Sequence, residues 1–413
     1  MLTEELAALA ADDGFDAFEE FDAIIRADGR NPYEEFTRCR RESPVRLVDA
    51  KEETNGAMGG LDNFYRVYRW ADVTRVLRDT NYFSSAFYAE SIELVFGRTI
   101  LGMDPPVHSQ YRALVATAFR QSVLHRWETT LIGAVVDELI DGFAAKGHAD
   151  LVRELTFAFP ANVIAEILGL PKDHYEQFQR WTAMMNLIGF NPPRGYAASL
   201  QLREYFIGFI TERRADPRDD LISDLVRAEI DGQRLDDEEI VSYLRLLLSA
   251  GVETTSRYSA TLLYALLTNR EQLEAVDANR DLLPQAIEEG LRWEPPIPAI
   301  PRKCIQDVEL GGQQIPAGSV VFACLASANR DEERYPDADR FDIFREPHQF
   351  MSFGWGPHMC LGMHLARLET KVAVNRVLDR LPNIRLDPDK PDEGITGTGF
   401  RSPRAVPVLF DPA

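Results

Sequence analysis

Cysteine is scarce in this 413-residue chain: Cys39, Cys304, Cys324 and Cys360 stand far apart in sequence. No paired spacing links them, so a disulfide scaffold is excluded and a reducing compartment is expected. No second Cys or His pair stands at finger-like spacing either, which argues against structural zinc. Positive charge is also in short supply, with 45 Lys and Arg against 66 Asp and Glu, a net charge of −21. That sign argues against nucleic acid or an anionic membrane as a partner. No uninterrupted apolar run approaches ~18 residues, so no membrane span is expected. The opening segment Met1–Leu6 is acidic and lacks the basic and apolar regions of a secretion signal, so the expected location is cytoplasmic. Linkers, low-complexity tracts and internal repeats are missing as well. With 45% hydrophobic residues to fill a core, residues 1–413 are read as one domain.

What is present is mostly helical periodicity, as in Trp127–Ala145, Tyr196–Arg214 and Ala286–Trp293. Short β-branched or alternating runs, Phe64–Tyr68, Val308–Ile315 and Ser319–Ala323, predict strands of a small sheet. The longest helical pattern runs from Asp237 to Thr268, with Asp236 and Glu239 as a capping pair at its start. The fold class is therefore mainly α with a small β region.

Near the C-terminus the chain reads Phe353-Gly354-Trp355-Gly356-Pro357-His358-Met359-Cys360-Leu361-Gly362. Gly354 and Gly356 allow positive φ and a close approach of backbone to a flat ligand. Backbone N–H groups after the turn can then point at the Cys360 sulfur. A cysteine presented in this way can bind a metal as thiolate. Inside the long helix lies Ala250-Gly251-Val252-Glu253-Thr254-Thr255. A Thr can turn its hydroxyl back to the i−4 carbonyl, here Ala250 for Thr254, and bend the helix. Together with Gly251 this would open a groove for dioxygen and water, beside an acid–alcohol pair, Glu253 and Thr254. Earlier, Asp104-Pro105-Pro106-Val107-His108 precedes Arg112, which puts His108 and Arg112 on one helix face. Glu289 and Arg292 form an i,i+3 pair just before Trp293-Glu294-Pro295-Pro296, and Arg302 follows.

These motifs, F-G-x-G-x-H-x-C-x-G, A-G-x-[D/E]-T, D-P-P-x-H-x-x-x-R and E-x-x-R in this order, resemble those of the cytochrome P450 family. The resemblance implies the mainly helical P450 fold around one haem b (iron protoporphyrin IX). It makes Cys360 the iron ligand, with Phe353, Gly354, His358 and Gly362 around it and Ala250 and Gly251 on the distal side. His108, Arg112, Arg302 and His358 would hold the haem propionates, and Glu253 and Thr254 would deliver protons. Glu289 and Arg292 would support the loop before the cysteine. The pocket would take walls from Phe83–Leu101, Met184–Phe190, the long helix, Ile297–Ile300 and Gly397–Phe400. Phe87, Phe96, Leu246, Ser249, Ile297, Ile300 and Phe400 are the candidate contacts, and such an apolar lining selects a hydrophobic small molecule. Arg98 and Arg194 are candidate carboxylate anchors.

The implied activity is O₂-dependent hydroxylation or epoxidation. The rival readings are a peroxide-driven peroxygenase or other haem-thiolate reaction, and a non-catalytic haem sensor or ligand carrier. The chain has no G-x-G-x-x-G, so it carries no flavin or nicotinamide module of its own. Electrons are expected from a separate, acidic ferredoxin or flavodoxin-type donor with its reductase. Arg112, Arg120, Arg126, Arg367 and Lys371 are the candidate docking cations on the Cys360 side.

Overall fold

The computed structural model describes residues 9, 14–26, 29, 31–50, 62–189 and 191–412. Met1–Leu6 and Phe190, used above, lie outside them. Eight helices frame the site: α1 (Ala17–Ile25), α2 (Ala86–Phe96), α3 (Val107–Ala116), α4 (Ala158–Ile167), α5 (Pro192–Ala215), α6 (Asp237–Thr268), α7 (Leu283–Trp293) and α8 (Met363–Arg380). A five-stranded sheet flanks them, built from β1 (Val45–Asp49), β2 (Asn63–Val67), β3 (Phe83–Ser84), β4 (Ile300–Cys304) and β5 (Val320–Ala323). Its strand order is β1-β2-β5-β4-β3. Pairing of Val321 with Arg302 and of Lys303 with Ser84 brings Arg302 beside the start of α2.

At 1.5 Å per residue, the 32 residues of α6 extend ~48 Å. The expected capping box closes its start: Asp236 Oδ1 accepts from Glu239 N at 2.8 Å, and Glu239 Oε2 from Asp236 N at 2.9 Å. Asp237, Glu238 and Glu239 in the first turn complement the helix dipole. The interior Leu, Ala and Tyr residues are buried by α4, α5, α7 and α8. One continuous apolar cluster runs from Ala17 to Phe410 through this helix.

Two expected elements are subdivided. Val308–Ile315 is a hairpin, Val308–Leu310 paired with Gln313–Ile315, because Gly311 and Gly312 both turn at positive φ (55° and 80°). Trp127–Ala145 is broken by a π-helical turn at Glu128–Ile132 and regains α geometry only over Gly133–Asp141.

The E-x-x-R pair is buried, not solvated. Arg292 Nε and Nη2 donate to Glu289 at 2.7 and 2.8 Å, and Nη1 donates to the carbonyls of Asn329 and Ala338. Glu289 Oε1 also accepts from Asp342 N at 2.9 Å. The pair thus staples α7 to the loop that leads to Cys360. Gly290 is needed between them: a Cβ there would meet Tyr258 Oη at 2.9 Å and Leu262 Cδ1 at 3.0 Å on α6. Arg345 Nε also holds Glu289 Oε1 at 3.2 Å, so Arg292→Ala leaves the carboxylate one cation but strips the buried Asn329 and Ala338 carbonyls of their donor, and is expected to cost ~2–3 kcal/mol. A lowered unfolding midpoint in denaturant would show it; an unchanged midpoint would refute the staple.

Candidate functional site

The Cys360 loop is a glycine-shaped hairpin. Gly354 and Gly356 adopt φ of 71° and 74°, and a Cβ on Gly356 would meet the Leu77 carbonyl oxygen at 2.7 Å. Cys360 N donates to Phe353 O at 2.7 Å, and Met359 N to Gly356 O at 3.1 Å. Cys360 lies deep in the protein mass, yet it is accessible, so it borders an internal hollow. Burial pushes its thiol up, against the Gly362 N–H, Arg112 and Arg367, which draw it down. Gly362 has nothing within 4 Å of an added Cβ, consistent with open space beside it.

In the middle of α6, Ala250 is exposed between buried Leu248 and Val252. Thr254 Oγ1 donates to Ala250 O at 2.7 Å, the back-bond expected for this pair. The adjacent threonines part company: Thr255 is buried and meets Glu369 of α8. Burial drives the Glu369 carboxyl well above the usual range, against the hydrogen bond from Thr255. Thr254 is therefore the hydroxyl left at the hollow. Gly251 also lets α4 approach closely, since a Cβ there would meet Ile164 Cδ1 at 2.8 Å. Glu253 is buried and paired with Arg257 at 2.5 Å, not hydrogen-bonded to Thr254.

A cluster of nitrogen bases lies between these elements. The His108 and His358 rings are 4.0 Å apart, and Ser85 Oγ is hydrogen-bonded to His358 Nε2 at 3.0 Å. His108 is buried, and neither ring nitrogen has a hydrogen-bond partner. Arg302 is 3% exposed and makes no ion pair among the described residues. It donates to Pro301 O at 2.8 Å and to the Tyr88 hydroxyl. Burial first, then the positive charges of Arg302, His108 and Arg112, push His358 down to about 3. Burial, then Arg112, lowers His108. Asp104 is the carboxylate nearest to both His108 and Arg302, but it is bound by Ser84 and Ser85 and pairs with neither. A buried cation and two imidazole nitrogens with no hydrogen-bonded anion fit a ligand that carries carboxylates. The haem propionates are such groups. Arg112, whose charge reaches both imidazoles, also donates from Nη2 to Met359 O at 2.5 Å and so ties the cluster to the cysteine loop.

Among the candidate wall residues, Phe87, Leu246, Ser249, Ile297, Ile300 and Phe400 are half-buried, as cavity-lining side chains are. Phe96 is 5% exposed and belongs to the core. Ser249 Oγ donates to Asn186 Oδ1 at 2.6 Å, a polar pair on this otherwise apolar set. Arg98 lies over the Tyr111 ring and Arg194 over Phe15, so neither stands bare as a carboxylate anchor. Sequence reasoning missed Ser85, Tyr88, Asn186, Arg257 and Glu369. Only the hydroxyls of Ser85 and Tyr88, near the Asp104 motif, gave a usable signal.

On the outer side of the cysteine loop is a hollow of about 950 Å³, bordered by Phe350, Met359, Met363, His364, Arg367 and Lys371. Arg367 is held by Glu288 at 2.5 and 2.9 Å, Lys371 by Glu128 at 3.5 Å, and Arg126 by Asp219. Arg120 donates to Thr117 O at 2.7 Å. Three of the five candidate docking cations therefore already have acidic partners.

The cytochrome P450 family profile matches residues 177–400. The chain is 33% identical over 390 residues to putative cytochrome P450 YjiB of Bacillus subtilis, covering 91% of this chain and 94% of that protein. It is 37% identical over 356 residues to mycinamicin IV hydroxylase/epoxidase of Micromonospora griseorubida, covering 83% and 89%. The crystal structure of CYP109E1 from Bacillus megaterium in complex with testosterone superposes with a TM-score of 0.83 at 32% identity, covering 92% of this chain and all of that one. No described helix is long and apolar enough to cross a membrane. Motifs, fold and relatives converge: the chain belongs to the cytochrome P450 family of haem-thiolate proteins and is an oxidoreductase of the monooxygenase type.

Proposed function

We propose that the chain binds haem b between α6 and the Cys360 loop and inserts one oxygen atom into a small-to-medium hydrophobic compound. The reaction is RH + O₂ + 2e⁻ + 2H⁺ → ROH + H₂O. The observation that carries this reading is the accessible Cys360 sulfur, held on a hairpin adjacent to a cluster of buried His108 and Arg302 whose one nearby carboxylate, Asp104, is taken up by Ser84 and Ser85. Cys360 would ligate the iron, and His108, Arg302 and His358, with Tyr88 and Ser85, would hold the propionates. When bound, haem with a thiolate ligand supplies O₂ activation and favours O–O cleavage.

The protein's part is protons, orientation and exclusion of water. The Thr254 hydroxyl, now bonded to Ala250 O, would hand on a proton, and the Glu253 carboxyl one residue earlier, now on Arg257, would turn to resupply it. A peroxygenase would not need this pair, which disfavours that rival. The Phe87, Leu246, Ile297, Ile300 and Phe400 side chains would exclude water and bind an apolar skeleton. Steroids are reasonable first probes, since the CYP109E1 relative holds testosterone. Electrons would enter through the outer hollow from a ferredoxin or flavodoxin-type donor. With Arg367, Lys371 and Arg126 already paired, apolar contact at Met359 and Met363 carries more of that docking than charge alone.

The test begins with spectral titration of the ferric protein, testosterone first, to find a compound that displaces water. Its oxidation, supported by ferredoxin and reductase under ¹⁸O₂, is expected to place one labelled oxygen in the product. Product formed only with hydrogen peroxide would instead mark a peroxygenase.

A further inference from the structure

Glu253 is one end of a buried chain of charges. Its Oε1 accepts from Arg257 Nε at 2.5 Å, one helical turn on, and both residues are more than nine-tenths buried. Arg257 reaches beyond this partner. Its Nη1 donates to Asp22 Oδ1 and to Ser402 Oγ, each at 3.2 Å, and its Nη2 has no acceptor. Asp22, 4% exposed, accepts from Arg26 Nε at 2.7 Å through its other oxygen. Arg26 is tied in turn to Thr396 and Ser402 at 2.6–3.0 Å. Formal charge therefore alternates along Glu253, Arg257, Asp22 and Arg26, from α6 through the end of α1 to the hairpin Ile395–Thr396/Ser402–Pro403. The Arg257 guanidinium also lies 6.0 Å from the Phe21 ring and 5.7 Å from the Phe400 ring.

A carboxylate that resupplies protons must at some point leave its cation. In an isolated buried pair that movement strands a charge in the interior, which is strongly unfavourable. Arg257 is not in that position, because a second carboxylate already holds it from another helix. When Glu253 turns away, the guanidinium keeps Asp22 and Ser402, so Arg257 is not left without an anion, although Asp22 is then shared with Arg26 and, at 3.9 Å, Arg404.

We propose that Arg257 is a positioning residue for proton delivery, and that Asp22 is the counter-ion that lets it release Glu253. This rests on the reading of Glu253 and Thr254 as the proton relay. With Asp22 neutral, Glu253 becomes the only anion on Arg257 and is locked to it. The N-terminal helix α1, through Asp22, thereby sets how readily the relay acid moves.

The experiment uses the haem-loaded enzyme with its electron donor and the compound found by titration. The variants are Asp22→Asn, nearly isosteric, and Arg257→Lys, which keeps the charge but loses the planar fork that spans Glu253, Asp22 and Ser402. Both are expected to bind haem and substrate as the parent does. Both should give several-fold less product per electron and a larger solvent deuterium isotope effect. Adding Glu253→Gln to Asp22→Asn should cause no further loss. A readout independent of turnover is a double-mutant cycle in thermal unfolding: the coupling between positions 253 and 257 should be larger in the Asp22→Asn background than in the parent. If Glu253→Gln lowers product per electron while Asp22→Asn and Arg257→Lys do not, this inference is overturned and the relay reading stands. If Glu253→Gln itself has no effect, the relay reading falls and this inference with it. Should Asp22→Asn fail to fold, Arg257→Lys decides by the same measurements.

Discussion

Cys360→His is expected to abolish electron-driven product formation while leaving the fold in place. The hairpin around Cys360 is set by Gly354, Gly356 and the Cys360 N to Phe353 O bond, none of which needs the sulfur. An imidazole there can still bind iron as a neutral donor. It cannot push electron density as a thiolate does, and that push is what favours O–O cleavage. Melting temperature and haem content measured beside product formation separate the two effects. A Cys360→His enzyme that still turns over with O₂ and electrons would refute the assignment of Cys360.

Thr254→Ala is expected to keep haem and substrate binding and to divert reducing equivalents to hydrogen peroxide. The hydroxyl stands at the hollow, whereas Thr255 is turned to the buried Glu369 on the far side of α6. Loss of one positioned proton donor typically costs ~10²–10⁴-fold in the step it serves. Electron consumption should therefore continue while product per electron collapses. Thr255→Ala, by contrast, removes a partner of a carboxyl that burial keeps high. If Thr254→Ala leaves the yield per electron unaltered, the relay does not run through this hydroxyl.

Local chemistry was readable from the chain. The capping box at Asp236 and Glu239, the positive φ at Gly354 and Gly356, and the Thr254 back-bond each depend on residues within four positions of one another. The Gly311-Gly312 turn was equally local, and its glycine pair is a hairpin signal that a strand reading of Val308–Ile315 passed over. What spacing could not reveal is what approaches from elsewhere. Gly251 owes its identity to Ile164, 87 positions away, and Gly290 to Tyr258. Arg112 shares a helix face with His108, as the i,i+4 spacing requires, but the spacing said nothing of the Met359 carbonyl that its long side chain also reaches. Counting cations near the cysteine loop likewise said nothing of Glu288, Glu128 and Asp219, which neutralise three of them. The pairing of Arg257 with Asp22 spans 235 positions and joins two helices that no motif connects.

The measurement that tests the central claim most directly is the absorption spectrum of the haem-loaded protein, reduced under carbon monoxide. Cys360 thiolate ligation predicts a strongly red-shifted Soret band in the parent protein and its loss in Cys360→His. A parent spectrum with an unshifted band, or a red-shifted band that survives Cys360→His, would contradict the account.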